Sequence, residues 1–81
     1  MNAMPHDLTA APRPGLYRHY KGQHYRVVAV ARHSETQEPL VVYRALYGEF
    51  GLWTRPLAMF VETITPPGAT KAVSRFERIG D

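Results

Sequence analysis

The sequence predicts an all-β domain, a small barrel of five to six antiparallel strands with a single 3₁₀ turn before the last core strand. Three observations carry this. Short runs rich in β-branched and aromatic residues recur between turn signals, as at Tyr25-Arg-Val-Val-Ala-Val30 and Val41-Val-Tyr43. Glycines mark tight turns at Lys21-Gly22, Gly48-Glu-Phe-Gly51 and Pro66-Pro67-Gly68. Pro56 places one helical turn ahead of the strand at Val61 to Ile64.

The elements follow in order. Met1 to Pro14 reads as a flexible tail, with Pro5, Pro12 and Pro14 among small residues and too little apolar surface to order it. A helical turn over Asp7 to Ala11 fits before Pro12 stops it. The domain proper spans 15–81. Gly15 to Tyr20 is the first strand, with Tyr17 and His19 on one face and Leu16, Arg18 and Tyr20 on the other. His24 to His33 is a long second strand, and Ser34 to Pro39 a polar loop. Leu40 to Tyr47 and Leu52 to Arg55 are the third and fourth strands. Pro56 extends Arg55 and starts a helical turn over Pro56 to Phe60, because its ring fixes φ and its missing N–H costs nothing there. Val61 to Ile64 resumes as a strand, and Ser74 to Ile79 pairs as a last edge strand. The predicted core is Leu16, Val27, Val30, Val42, Leu46, Leu52, Met59, Phe60, Val61 and Ile64. Short strands, tight turns and a helical turn before the last core strand together suggest the SH3-type barrel. The rival is an open sheet that needs a dimer to cover one face.

With 81 residues the chain makes one domain. A domain this small buries only about 60% of its unfolded surface. There is no cysteine, which excludes disulfides and thiolate zinc sites. The core therefore rests on aliphatic and aromatic burial, or in part on a second subunit. No apolar run approaches the roughly 20 residues of a membrane span. The start lacks a basic head followed by an apolar segment, so a soluble cytoplasmic protein without membrane partners is expected. Ten Lys and Arg against seven Asp and Glu give a net charge of +3, and eight of the ten cations are Arg. Arginine stacks on aromatic planes and grips carboxylate or phosphate with two parallel bonds.

Chemistry-bearing residues crowd between Tyr17 and Phe60. Trp53 and Arg55 project from one face of an extended strand, about 7 Å apart. Beside Tyr43 or Tyr17 they make an aromatic floor with a guanidinium at its edge, suited to a nucleobase with its phosphate or to an anionic peptide. The alternative is that Trp53 plugs the barrel while Arg55 pairs with Glu35 or Glu62. His33 and Glu35, two residues apart, share a strand face. A structural hydrogen bond between them outweighs a metal site, for which His19 is the one attractive third ligand. No cysteine nucleophile, Gly-x-Ser-x-Gly elbow or phosphate-cradling glycine loop is present, and Ser34 points away from neighbouring His33. The expectation is no enzyme, no cofactor and no metal.

These residues resemble a known family. Gly15-x-Tyr17-x-His19-Tyr-Lys-Gly22, Tyr25-x-Val27, Ala31-Arg-His-Ser-Glu35, Val41-Val-Tyr-Arg44, Leu52-Trp-Thr-Arg-Pro56 and Met59-Phe60 are similar to the bacterial domain-of-unknown-function family 1653. The likeness runs from Pro14 to Ile64, with a weaker match at Arg75-Phe76 and Ile79. It implies the SH3-like architecture and a shared pattern at Tyr17, His19, Lys21, His33, Glu35, Tyr43, Trp53, Arg55 and Pro56, and it brings no activity with it. Thr54 stands where that family commonly has an apolar residue.

The expected function is a non-catalytic binding module. Its site residues are Tyr17, His19, His33, Glu35, Tyr43, Trp53 and Arg55, and its ligand is anionic: a nucleotide, a nucleic acid or a peptide. The alternative is a structural or adaptor protein acting through protein contacts, as a monomer or as a homodimer through an exposed strand edge; a His-dependent enzyme or metal protein ranks third.

Overall fold

A computed structural model of the protein describes residues 11–81. Its order is β1 (Gly15–His19), β2 (His24–Arg32), β3 (Pro39–Ala45), β4 (Leu52–Pro56), α1 (Leu57–Phe60), β5 (Thr63–Ile64), β6 (Val73–Ser74) and β7 (Phe76–Gly80). Five strands form one antiparallel sheet in the order β4-β3-β2-β1-β7, and β5 pairs with β6 in a separate two-stranded ribbon. The all-β antiparallel class and the helical turn ahead of the late strands are as the sequence predicts. The turn is α rather than 3₁₀, since the Val61 N–H donates to the Leu57 carbonyl four residues back at 3.1 Å. The predicted helical turn at Asp7 to Ala11 and most of the predicted tail lie outside the described residues. The carbonyls of Arg13 and Pro14 are engaged, by the Tyr17 hydroxyl and by Arg78 respectively.

The hydrogen-bonded ladder does not close into a barrel. Among the described residues β4 and β7 are the free edges of the sheet. The gap between them is filled by side chains from α1 and β7. Phe60 and Phe76 stack with ring centroids 4.2 Å apart and planes within 1°. Around that pair sit Tyr17, Val27, Val41 and Tyr43, which together form the buried core. The ribbon is tied on through Arg75, whose N–H donates to the Glu62 carbonyl at 3.0 Å and whose carbonyl accepts the Tyr20 N–H at 2.9 Å.

The core differs from expectation in its parity. Val27 and Phe60 are buried as predicted, but on β3 the inward set is Val41, Tyr43 and Ala45 rather than Val42 and Leu46. Leu52, Met59 and Val61 are exposed, and Leu16, Val30 and Ile64 are half-buried. Apolar residues stand on both faces of β3, so alternation alone does not choose a face. The large Tyr43 ring chooses it, because it packs against Tyr25, Phe60 and Phe76. A bulge between Val27 and Ala29 then shifts the register of β2, pairing Val27 with Tyr43 and Ala29 with Val42.

Close approach sets one glycine. Gly15 has φ +147°, and a Cβ there stands 2.7 Å from the Gly80 carbonyl oxygen on β7.

Two expectations for stability follow. Phe60→Ala should lower the unfolding free energy by about 3–5 kcal/mol, whereas Met59→Ala next to it, half in solvent, should change it by about 0.5 kcal/mol or less. Urea unfolding of both variants checks this, and equal losses contradict the assignment of the core. Gly15→Ala should destabilise more than Gly22→Ala: both have positive φ, but only Gly15 meets backbone within 4 Å.

Candidate functional site

The inner face of the sheet carries aromatic side chains in register. Tyr17 on β1 pairs with Tyr25 on β2, and Tyr43 on β3 pairs with Trp53 on β4. Strand alternation adds His19 and Arg55 to the same face. Toward the β1–β2 turn the covering layer thins, and the side chains pass from buried Tyr17 and Tyr43 to half-buried His19 and Tyr25 and then to exposed Tyr47. Phe76 lies under this transition. His19 meets its ring edge-to-face at 4.9 Å, Tyr25 at 5.4 Å and Tyr43 at 5.8 Å, and the Arg55 guanidinium stands 5.5 Å from its centroid.

Hydrogen-bond donors dominate this recess. The Nδ1 of His19 accepts the Lys21 N–H at 3.2 Å, which leaves the proton of the neutral ring on Nε2. Burial first, then the charges of Arg75, Arg55 and Lys21, hold His19 below the usual histidine range. The Arg55 Nε donates to the Tyr43 hydroxyl at 3.3 Å. Arg75 grips Glu62 through Nη2 at 2.9 Å, while its buried Nε has no partner among the described residues. Tyr25 and Tyr47 share a hydrogen bond of 2.6 Å between their hydroxyls. Burial, and next that hydrogen bond, push the Tyr25 hydroxyl up to about 12, so it stays protonated. Arg55 and Arg75 therefore flank a neutral imidazole on an aromatic floor, the Lys21 ammonium stands over the neighbouring Tyr20 ring at 5.8 Å, and Glu62 is the carboxylate that holds Arg75. Such a set favours an acceptor, and an anion above all.

Five of the seven predicted site residues share this face: Tyr17, His19, Tyr43, Trp53 and Arg55, with Tyr17 and Tyr43 buried in the core. Trp53 does not plug a barrel; it is 59% exposed, with its indole turned back over Gly51. Arg55 pairs with neither Glu35 nor Glu62, because Tyr43 and Phe76 hold it and Arg75 takes Glu62. Tyr17 belongs to the core and donates its hydroxyl to the Arg13 carbonyl at 2.9 Å. His33 and Glu35 stand apart from the recess. Eight residue steps separate His33 from Tyr25, about 26 Å along an extended chain. His33 caps its own loop, its Nδ1 accepting the N–H groups of Glu35 at 3.1 Å and Thr36 at 3.3 Å. The predicted His33–Glu35 hydrogen bond thus runs from backbone to ring and not through the carboxylate. Among the described residues no group of three or more His, Asp or Glu could hold a metal ion, and no helix is long and apolar enough to cross a membrane. The sequence reading left Tyr25, Tyr47, Arg75 and Phe76 out of the site. The signal for Arg75 and Phe76 was their place in the tail of the family likeness.

Comparison with known proteins agrees with this architecture. A crystal structure of a DUF1653 protein from Bordetella bronchiseptica is 42% identical in sequence and superposes with a TM-score of 0.76, over 85% of this chain and 88% of that one. No curated protein matches. The family model described as "Protein of unknown function (DUF1653)" matches residues 15–78, and the chain belongs to that family.

Proposed function

We propose that the protein is a non-catalytic binding module whose recess takes a small anionic ligand bearing a planar ring. The observation that carries the reading is the placing of Arg55 over Phe76 beside His19, with Arg75 next to Phe76 in the chain, on a floor of Tyr25, Tyr43 and Phe76. The anionic group would accept a hydrogen bond from the His19 Nε2–H and face the Arg55 guanidinium. Trp53, exposed on the same face, would stack on the ring. A mononucleotide has both parts.

A second reading is favoured by edge strand β4, where Leu52, Trp53 and Thr54 are exposed in succession. It is protein contact through that edge, with a homodimer as its simplest form.

Titration with inorganic phosphate and with adenosine monophosphate tests the first reading. Trp53→Ala should weaken the nucleotide by about 1–3 kcal/mol, leave phosphate unaffected and keep the thermal midpoint. Arg55→Gln should weaken both ligands. Absence of binding by either ligand rejects the recess as an anion site and leaves the edge contact.

The depressed His19 also predicts a pH dependence. The unfolded chain binds the His19 proton more readily than the folded one, so this contribution to stability is present above about pH 6.5. It is lost as the pH falls below that value. His19→Gln should flatten the slope of the midpoint against pH on the acid side. In NMR titration the His19 pKa should rise when phosphate is bound, since an anion offsets the cations that depress it.

A further inference from the structure

The outer face of the sheet carries a second charged feature, separate from the recess. Arg26 on β2 and Arg44 on β3 are direct cross-strand partners. Their Cβ atoms therefore lie about 4.5–5.5 Å apart, an arrangement of like charges that destabilises a sheet. Both side chains are exposed. Arg44 turns aside to donate to the Phe50 carbonyl at 2.7 Å, and no carboxylate of the described residues pairs with Arg26. Arg18 on β1 sits diagonal to Arg26, at about 7–8 Å. It faces His24 on one side and Glu77 on the other, and is bound to Glu77 at 3.1 Å. Three arginines thus run obliquely across three adjacent strands.

We infer that this face docks on the phosphate backbone of a nucleic-acid duplex. Charge complementarity selects the partner class. Three separate guanidinium groups on an open sheet surface suit repeated phosphates better than one enclosed ion. Leu52 and Leu16 continue the Arg44–Arg26 row on either side, and the rings near these rows are the His24 imidazole and half-buried Tyr20, which packs against His19. Two isolated rings give successive single-strand bases no continuous stacking platform. The contact is to backbone and independent of sequence. The uncompensated Arg26–Arg44 pair is a stability cost that such a partner relieves.

The test measures affinity for a fluorescent DNA duplex of arbitrary sequence by anisotropy at several salt concentrations. Three phosphate contacts give a slope of log affinity on log salt near about −2.7, a loss of about 40-fold between roughly 50 and 200 mM salt. Arg26→Gln should bring the slope up by about one while leaving the thermal midpoint equal or higher, because a like-charge pair is removed. Arg55→Gln in the recess should leave duplex binding unchanged. The inference is overturned by no duplex binding at low salt or by equal affinities of the parent and Arg26→Gln. It is equally overturned by loss with Arg55→Gln instead, or by binding to anionic phosphatidylserine vesicles without binding to duplex. The recess reading stands or falls separately, on the phosphate and mononucleotide titrations.

Discussion

The stack of Phe60 on Phe76 holds the two ends of this fold together. The chain makes a five-stranded sheet whose edges do not meet through backbone hydrogen bonds, so something else must bring β7 near the β4–α1 corner. The two phenyl rings do so, and Tyr17 and Tyr43 pack edge-on around Phe60 at 5.6 and 5.7 Å. Closure by apolar contact rather than by a strand ladder rests on burial, which has no directional requirement. It also explains how a domain without disulfides and with few fully buried side chains acquires a defined interior.

The same ring joins stability to the candidate site. Phe76 is core on the side that meets Phe60, and it is floor for His19, Tyr25, Tyr43 and Arg55. Partial burial by these aromatics makes a charge on His19 expensive, and the surrounding cations make it more so. The imidazole is thereby kept neutral among arginines, as a donor without an added charge. Positive groups gather on both faces of the sheet, but in different settings. Inside, Arg55 and Arg75 are partly buried and bound to Tyr43 and Glu62; outside, Arg26 is exposed and pairs with no carboxylate of the described residues.

Much of the fold was legible because turns are written locally. Gly22, the Gly48–Gly51 segment, Pro56 and the Pro66-Pro67-Gly68 break each impose a backbone geometry that no distant contact needs to supply. The choice of face on β3 was not legible. Leu40-Val-Val-Tyr-Arg-Ala-Leu46 offers apolar residues on either parity, and the bulge near Val28 shifts the register with no glycine or proline to announce it. For the site, alternation correctly grouped Trp53 with Arg55 and Tyr17 with His19. It misled at His33 and Glu35, since a loop reverses there and two residues that share a parity on paper cap a turn instead. Arg75 and Phe76 could not be placed from sequence, because their partners lie more than a dozen residues away along the chain and meet them only through the closed seam.

The pairing of β1 with β7 has a consequence for how the domain can be housed. Leu16 lies opposite Gly80, so the chain enters and leaves the sheet on neighbouring strands at the same end. The two points are separated by little more than one inter-strand spacing, about 4.8 Å. A host protein can therefore accept this unit within one of its own surface loops with its flanking residues almost in place. The fold is as well suited to being an insert as to standing alone.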